Sequence, residues 1–158
     1  SADKWSPEIS LGLSVLIPES YVSDLQLRLG LYRRLSSLET RSDIDAFAAE
    51  LVDRFGELPP EVEHLLDVME IKGLCRAANI AKIDAGTKGA VITFYKNDFA
   101  NPEGLAKFLV AKRAISKMQP DHKLVFKGEW DLPELRFKGV KTLAGQLAAI
   151  AGEAKRAA

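Results

Sequence analysis

The clearest pattern of apolar positions along the chain is a helical one. Counting from Ile44, the residues 3, 4, 7, 8 and 11 positions later are also apolar: Phe47, Ala48, Leu51, Val52 and Phe55. This spacing places all six on one face of a helix. Ser42, with Asp45 three residues later, predicts the N-cap of that helix, and Gly56 predicts its C-terminal end. Pro59-Pro60 is typical of the start of a following helix.

The helix predicted after Pro60 has two carboxylates, Glu61 and Glu63, near its start, where the helix dipole favours negative charge. Its apolar side consists of Val62, Leu65, Leu66, Met69, Leu74, Cys75 and Ala78. The N-terminal half of the chain is therefore predicted to be mostly helical.

Two segments before this helical pair have mixed patterns. Ile9–Ile17 alternates between apolar and polar positions as a strand does, and it ends at Pro18. Tyr21–Leu38 has the length of a helix and contains two apolar stripes. One stripe is Val22, Leu25, Leu29 and Tyr32, and the other is Leu27, Leu31 and Leu35. Two stripes predict a central helix that is buried on more than one side.

The C-terminal half alternates between strand and helix patterns. Ile80–Ile83 and Ala90–Tyr95 are predicted to form a hairpin, since Gly86-Thr87-Lys88-Gly89 lies between them. Asn101-Pro102-Glu103 predicts a helix start. A short strand is predicted at Lys123–Lys127 and a closing helix at Leu143, Leu147 and Ile150, whereas Leu132–Gly139 is ambiguous.

These elements predict an α+β fold, in which a helical N-terminal half packs with a small antiparallel sheet and further helices. We expect a single domain over residues 1–158, with disordered ends at residues 1–8 and 153–158.

Composition indicates a cytoplasmic globular protein. Of the 158 residues, 47% are hydrophobic and 28% charged, and no apolar run reaches the length of a membrane span. Cys75 is the one cysteine, so an internal disulfide is excluded. The sequence begins with Ser1 rather than Met, as expected of a piece cut from a longer protein.

Net charge is zero but unevenly distributed. Residues 1–79 hold 8 Lys and Arg against 14 Asp and Glu, and residues 80–158 hold 14 against 8. The two halves therefore carry charges of −6 and +6, which either helps them to fold together or presents separate surfaces to partners.

The sequence contains no residue pattern typical of a catalytic, metal or phosphate-binding site. His64 and His122 are the only histidines and have no spacing typical of a metal or nucleophilic site. Gly86-Thr87-Lys88-Gly89 lacks the pattern of a phosphate-binding loop and is better explained as a hairpin turn. We therefore expect no cofactor, no metal and no enzymatic activity for this chain.

Nucleic-acid binding is one alternative function. Nine basic residues of the C-terminal half are candidates for this role: Lys107, Lys112, Arg113, Lys117, Lys123, Lys127, Arg136, Lys138 and Lys141. They are interleaved with Phe126, Trp130 and Phe137, so the cations could contact phosphates and the rings could stack on bases. The same rings also fit the core of a half-buried sheet.

The outer face of the helix that ends at Gly56 is a candidate docking surface. At about 100° per residue, Asp53 points away from the apolar face and is flanked by Glu50 and Arg54. Ala46 and Ala49 on the same side are small enough for another surface to approach. The alternatives are self-association through this face, and a solvated face with an ordinary Glu50–Arg54 pair.

Several runs resemble the C-terminal domain of the bacterial transcription-repair coupling factors (Mfd). Leu16–Pro18 and Arg28–Leu35 resemble the opening of that domain, and Glu50–Pro59 (ELVDRFGELP) is similar to its most specific run. Ile80–Ile83 and Gly89–Phe94 fit its hairpin. The resemblance covers nearly the whole chain, most strongly to about Phe94, whereas residues 128–139 depart from the regular helix expected there.

The resemblance implies a parent protein that is an ATP-driven DNA translocase, with ATP and magnesium in its motor. Such a protein removes stalled RNA polymerase from damaged double-stranded DNA and recruits the excision-repair protein UvrA. The resemblance implies an autoinhibitory role for this domain, which docks onto the UvrA-binding module of the resting protein. Glu50, Asp53 and Arg54 match the polar residues of the family's docking helix.

Overall fold

The computed structural model describes residues 5–157, except for the side chains of residues 155 and 157. The described helices are α1 (Leu25–Leu35), α2 (Arg41–Phe55), α3 (Pro60–Ala77), α4 (Pro102–Ala111) and α5 (Pro133–Ala157). The described strands are β1 (Glu8–Ser10), β2 (Ile80–Gly86), β3 (Gly89–Phe94), β4 (Ser116–Met118) and β5 (Leu124–Lys127). The predicted α+β class is confirmed.

The five strands form one sheet in the order β1-β2-β3-β5-β4. The pairs from β2 onward are antiparallel, as predicted, but β1 runs parallel to β2, with Ile9 opposite Ile83. The predicted antiparallel sheet of the C-terminal half is therefore confirmed, and the N-terminal strand β1 joins its edge to give a mixed sheet. About 70 residues separate these two strands, and a connection of that length permits parallel pairing.

The described residues form two compact units in sequence. The helical unit is Ser14–Gly73, and the sheet unit comprises the described residues up to Leu13 together with those from Leu74 onward. A single domain over residues 1–158 stays a prediction.

The helical unit is built around apolar residues of α1, α2 and the first part of α3. Its buried cluster consists of Ile17, Val22, Leu31, Leu35, Ile44, Phe47, Leu51, Val62, Leu66 and Met69. A helix within Tyr21–Leu38 is confirmed, although α1 spans only Leu25–Leu35, and its predicted burial on several sides is wrong. Leu31 and Leu35 are buried, whereas Leu25 and Leu29 are 55% and 40% exposed. The helix buries one stripe, as a surface helix does.

The sheet unit is covered by α5, which packs on β2 and β3, while α4 packs on α5 and β4. Its fully buried residues include Ile80, Ile83, Ile92, Leu124, Leu143 and Leu147. The predicted hairpin is confirmed, and Gly89 lies at φ +127°, where an added Cβ would come within 2.1 Å of the Phe126 carbonyl oxygen. The strand Lys123–Lys127 and the helix start at Asn101 are also confirmed, since Asn101 caps α4.

The first strand is shorter than the predicted Ile9–Ile17. It ends at Ser10, because Gly12 adopts the left-handed conformation at φ +66°. The chain next to this turn is fixed by Arg136 of α5, whose Nη1 donates a hydrogen bond of 2.7 Å to the Leu11 carbonyl oxygen. Arg136 is only 6% exposed, and it also donates to the Trp130 and Asp131 carbonyl oxygens.

The ambiguous segment Leu132–Gly139 contains the start of α5. Pro133 is the first helical residue, a position that needs no N–H donor. Gly139 lies inside the helix against the Trp130 indole. The helix includes residues 153–157, where we expected a disordered end, and Glu8 begins β1. Residues 1–4 and 158 lie outside the described residues.

Candidate docking surface

The α2 helix positions the candidate residues Glu50, Asp53 and Arg54. Its N-cap is Thr40, not the predicted Ser42, because Thr40 has extended backbone and accepts a hydrogen bond from the Asp43 N–H. The Asp43 carboxylate in turn accepts from the Thr40 N–H, which completes a capping box. The helix ends at Gly56 with φ +94°, as predicted.

The inner face of α2 is the predicted apolar one. Ile44, Phe47 and Leu51 are buried, although Val52 at the edge of the face is exposed. Because this face is anchored in the core, the opposite face must point outward. Ala46, Ala49 and Asp53 are all exposed there.

Glu50 is held by two arginines. Arg34 of α1 makes a bidentate contact with it, from Nη1 to Oε2 at 2.6 Å and from Nη2 to Oε1 at 2.7 Å. Arg54, one turn further along α2, donates from Nη1 to Oε2 at 2.9 Å. Bidentate arginine–carboxylate pairs fix the orientation of both planar groups.

Both arginines also lie over aromatic rings. The guanidinium carbon of Arg34 is 5.0 Å from the ring centre of Phe47, and that of Arg54 is 5.0 Å from the ring centre of Phe55. Cation–π contacts of this kind attract the guanidinium to the ring face. The ion cluster is therefore attached to the core of the helical unit through Phe47.

The charges in this cluster stabilise the ionised form of Glu50. The hydrogen bond from Arg34, and next that from Arg54, lower the pKa of the Glu50 carboxyl to about 2. The same Arg34–Glu50 hydrogen bond raises the pKa of Arg34. Glu50 is consequently an anion throughout the pH range in which the protein would function.

Asp53 differs from its two neighbours. It is exposed, and among the residues that the structure describes it has no hydrogen-bond or ion-pair partner. It also lies in the last turn of α2, where the helix dipole disfavours a carboxylate. The structure thus joins Glu50 to Arg54 and leaves Asp53 available to another molecule.

Arg34 is the member of this cluster that the sequence did not reveal. It lies 16 residues before Glu50 on another helix, and no periodic pattern connects the two positions. Beside their contact is a groove of about 400 Å³ between the end of α1 and the first half of α2, with Ser37 and Ala46 in its walls.

The aromatic residues considered for nucleic-acid binding are mostly internal. Phe137 and Trp130 are 4% and 8% exposed, and Phe126 stacks between Phe108 and Trp130 with ring centres 6.4 and 6.3 Å apart. Arg136 is buried against carbonyl oxygens. These groups hold the sheet unit together, so stacking on bases would require it to rearrange.

The structure also locates Cys75 and allows a search of the described residues for metal sites and membrane-spanning helices. Cys75 is buried. Within residues 5–157, no group of histidine, cysteine, aspartate and glutamate side chains could hold a metal ion, and no described helix is long and apolar enough to cross a membrane.

Comparison with known proteins identifies the family. The TRCF domain family matches residues 11–105. The chain is 46% identical over 142 residues to the transcription-repair-coupling factor of Rickettsia bellii (strain RML369-C), a match that covers 89% of this chain and 12% of that protein. It is 31% identical over 115 residues to that of Escherichia coli (strain K12), which covers 73% of this chain and 9% of that protein. The chain thus spans a small part of the length of these relatives.

A solved structure has the same fold. The crystal structure of the C-terminal domain of a transcription-repair coupling factor matches with a TM-score of 0.76 at 20% identity, covering 94% of this chain and 96% of that one. The family resemblance found in the sequence is confirmed. This chain belongs to the TRCF domain family of the transcription-repair coupling factors.

Proposed function

We propose that this chain is a non-catalytic, autoinhibitory docking domain of a longer transcription-repair coupling factor. In the resting protein it covers the UvrA-binding module through the outer face of α2. The longer protein is a DNA translocase of nucleotide excision repair, whose motor uses ATP and magnesium. It acts with RNA polymerase, UvrA and double-stranded DNA.

The observation that carries this proposal is that Asp53 is exposed and has no partner among the described residues. An exposed carboxylate at the unfavourable end of a helix dipole has no stabilising contact within the described chain. A cationic side chain of a docked module would provide that contact. The neighbouring Ala46 and Ala49 are exposed and small, so they allow the backbone of α2 to approach another surface closely.

The regulation is a shift between closed and open populations. Docking keeps the protein closed, and engagement of the motor with RNA polymerase favours the open state. A closed state populated at about 99% needs a docking free energy of only about 2.7 kcal/mol. A few charge-assisted contacts supply this amount, so the domain can be released without being unfolded.

The test is binding in trans. The 158-residue chain is titrated with the separately produced UvrA-binding module, and the dissociation constant is measured by fluorescence anisotropy. Asp53→Ala should weaken binding about tenfold, the order of one lost charge-assisted contact. Asp84→Ala removes another exposed aspartate, in the sheet unit, and should leave binding unchanged.

The regulatory part of the proposal needs the full-length protein. Glu50→Ala combined with Asp53→Ala should increase its affinity for UvrA, because the module is released more often. Unchanged affinity for UvrA in that double variant would rule out docking through this face.

A nucleic-acid-binding module is the second candidate, favoured by the +6 charge of residues 80–158. Titration of the chain with duplex DNA at several salt concentrations separates the two functions. Tight binding that weakens steeply with salt would support this candidate. The buried positions of Trp130 and Phe137 predict instead that binding is weak.

A further inference from the structure

The Arg34–Glu50 contact connects α1 to α2 at Glu50, one of the three candidate docking residues. Both oxygens of Glu50 are engaged by one guanidinium, at 2.6 and 2.7 Å. That guanidinium lies over the ring of Phe47, which is buried. Glu50 is therefore fixed from the side of α1 and supported from the core.

Without Arg34, Glu50 would keep only Arg54, one turn away on its own helix. Exposed pairs at this spacing restrict side chains weakly. Glu50 would then sample several rotamers, and a partner would have to order it on binding. Ordering a flexible side chain at an interface lowers affinity.

We infer that Arg34 is a positioning residue of the docking surface, which fixes the Glu50 carboxylate next to the free Asp53 before the partner arrives. This inference rests on the proposed docking function. Asp53 contacts the partner directly, whereas Arg34 acts through Glu50. The geometry requires arginine at position 34, since the single ammonium group of a lysine cannot make two parallel hydrogen bonds to one carboxylate.

The inference distinguishes Arg34 from Arg33, its neighbour on α1. Arg33 is exposed, and in the described structure no carboxylate pairs with it. It is a matched control, because Arg33→Gln removes the same charge from the same helix without touching Glu50.

The experiment is a double-mutant cycle in the trans binding assay. Arg34→Gln and Arg34→Lys should each weaken binding of the UvrA-binding module about fivefold, the order expected for freeing one side chain, and Arg33→Gln should have no effect. In a chain that already carries Glu50→Ala, Arg34→Gln should cause no further loss. Thermal unfolding of each variant checks that the fold is retained.

Three results would overturn the inference, and they differ in what else they affect. Binding by Arg34→Gln that equals the wild type overturns the positioning role and leaves the docking function intact. So does a loss of the same factor with and without Glu50→Ala, because Arg34 would then act independently of Glu50. Absence of binding by the wild-type chain overturns the docking function and this inference together.

Discussion

Replacement of Gly139 in α5 by alanine is predicted to destabilise the protein. An ideal Cβ at this position would lie 2.3 Å from Cε2 and 2.5 Å from Cζ2 of Trp130. These distances are far below van der Waals contact. Trp130 is itself only 8% exposed, and it stacks on Phe126, so the indole has little room to move.

Two effects of Gly139→Ala oppose each other. Alanine stabilises a helix interior by about 1 kcal/mol relative to glycine. Forcing an extra methyl group into a packed site lowers stability by about 1–3 kcal/mol. A clash with a rigid ring is expected at the upper end of this range. We therefore expect a net loss of about 1–2 kcal/mol in the free energy of unfolding.

The chain provides a matched control on the same helix. Apart from its chain neighbours and the backbone of its own helix, Gly145 has nothing within 4 Å of an ideal Cβ, so Gly145→Ala should stabilise the protein by about 0.5–1 kcal/mol. Both variants are compared with the wild type by urea unfolding, followed by tryptophan fluorescence. Trp5 and Trp130 are the two tryptophans and both lie in the sheet unit, so this signal reports on the unit that contains the substitutions.

Gly139→Ala that is as stable as the wild type would refute the packing argument. A further variant locates the cause. In a chain with Trp130→Leu, which removes the indole, Gly139→Ala should change from destabilising to neutral or stabilising. A penalty that persists in that background would mean that Trp130 is not the origin of the effect.

Three other predictions follow from a buried hydrogen-bond donor, a helix cap and an exposed ion pair. Arg136→Met should lower the free energy of unfolding, measured with urea, by about 2–3 kcal/mol. The variant loses the hydrogen bonds from a buried charged donor and leaves the Leu11 and Trp130 carbonyl oxygens buried without them. As a control, Arg113→Met at an exposed position should change the free energy of unfolding by less than about 0.5 kcal/mol. Thr40→Ala should lower the free energy of unfolding, measured by thermal unfolding, by about 1 kcal/mol, whereas Ser42→Ala should leave it nearly unchanged. A larger loss for Ser42→Ala than for Thr40→Ala would contradict Thr40 as the N-cap. The Glu50 pKa of about 2 lies below its ordinary value near 4.5, so the stabilisation from ionised Glu50 is complete above about pH 5 and is lost as the pH falls towards 2. The stability difference between wild type and Glu50→Gln should therefore shrink over this range, and a Glu50 carboxyl that titrates near pH 4.5 by NMR would contradict the Arg34 contact.

The local patterns in the sequence predicted the local structure well. The apolar spacing of α2 gave its buried face, and glycine and proline gave its end and the start of α3. The cap was displaced by two residues because Thr40 and Ser42 are both good capping residues and only the backbone conformation distinguishes them. The sequence could not show which of the two apolar stripes of α1 is buried, since burial depends on which side the other helices cover.

The candidate site was predicted only in part for a similar reason. The helical period places Glu50, Asp53 and Arg54 on one outer face, because those positions depend on a single helix. The Arg34–Glu50 contact depends on how α1 and α2 pack, which no spacing within either helix specifies. The parallel pairing of β1 with β2 is likewise a long-range contact between distant segments.

The hydrogen bond from Arg136 to Leu11 has a consequence for the order of folding. It joins residues 125 apart in sequence, and in the order of the chain all of Ser14–Gly73 comes after β1 and before β2. During synthesis from the N-terminus, Ser14–Gly73 leaves the ribosome complete while β1 still has no partner strand. The Arg136–Leu11 hydrogen bond can form only after the start of α5 has been made, so assembly of the sheet unit joins a segment made before the helical unit to one made long after it.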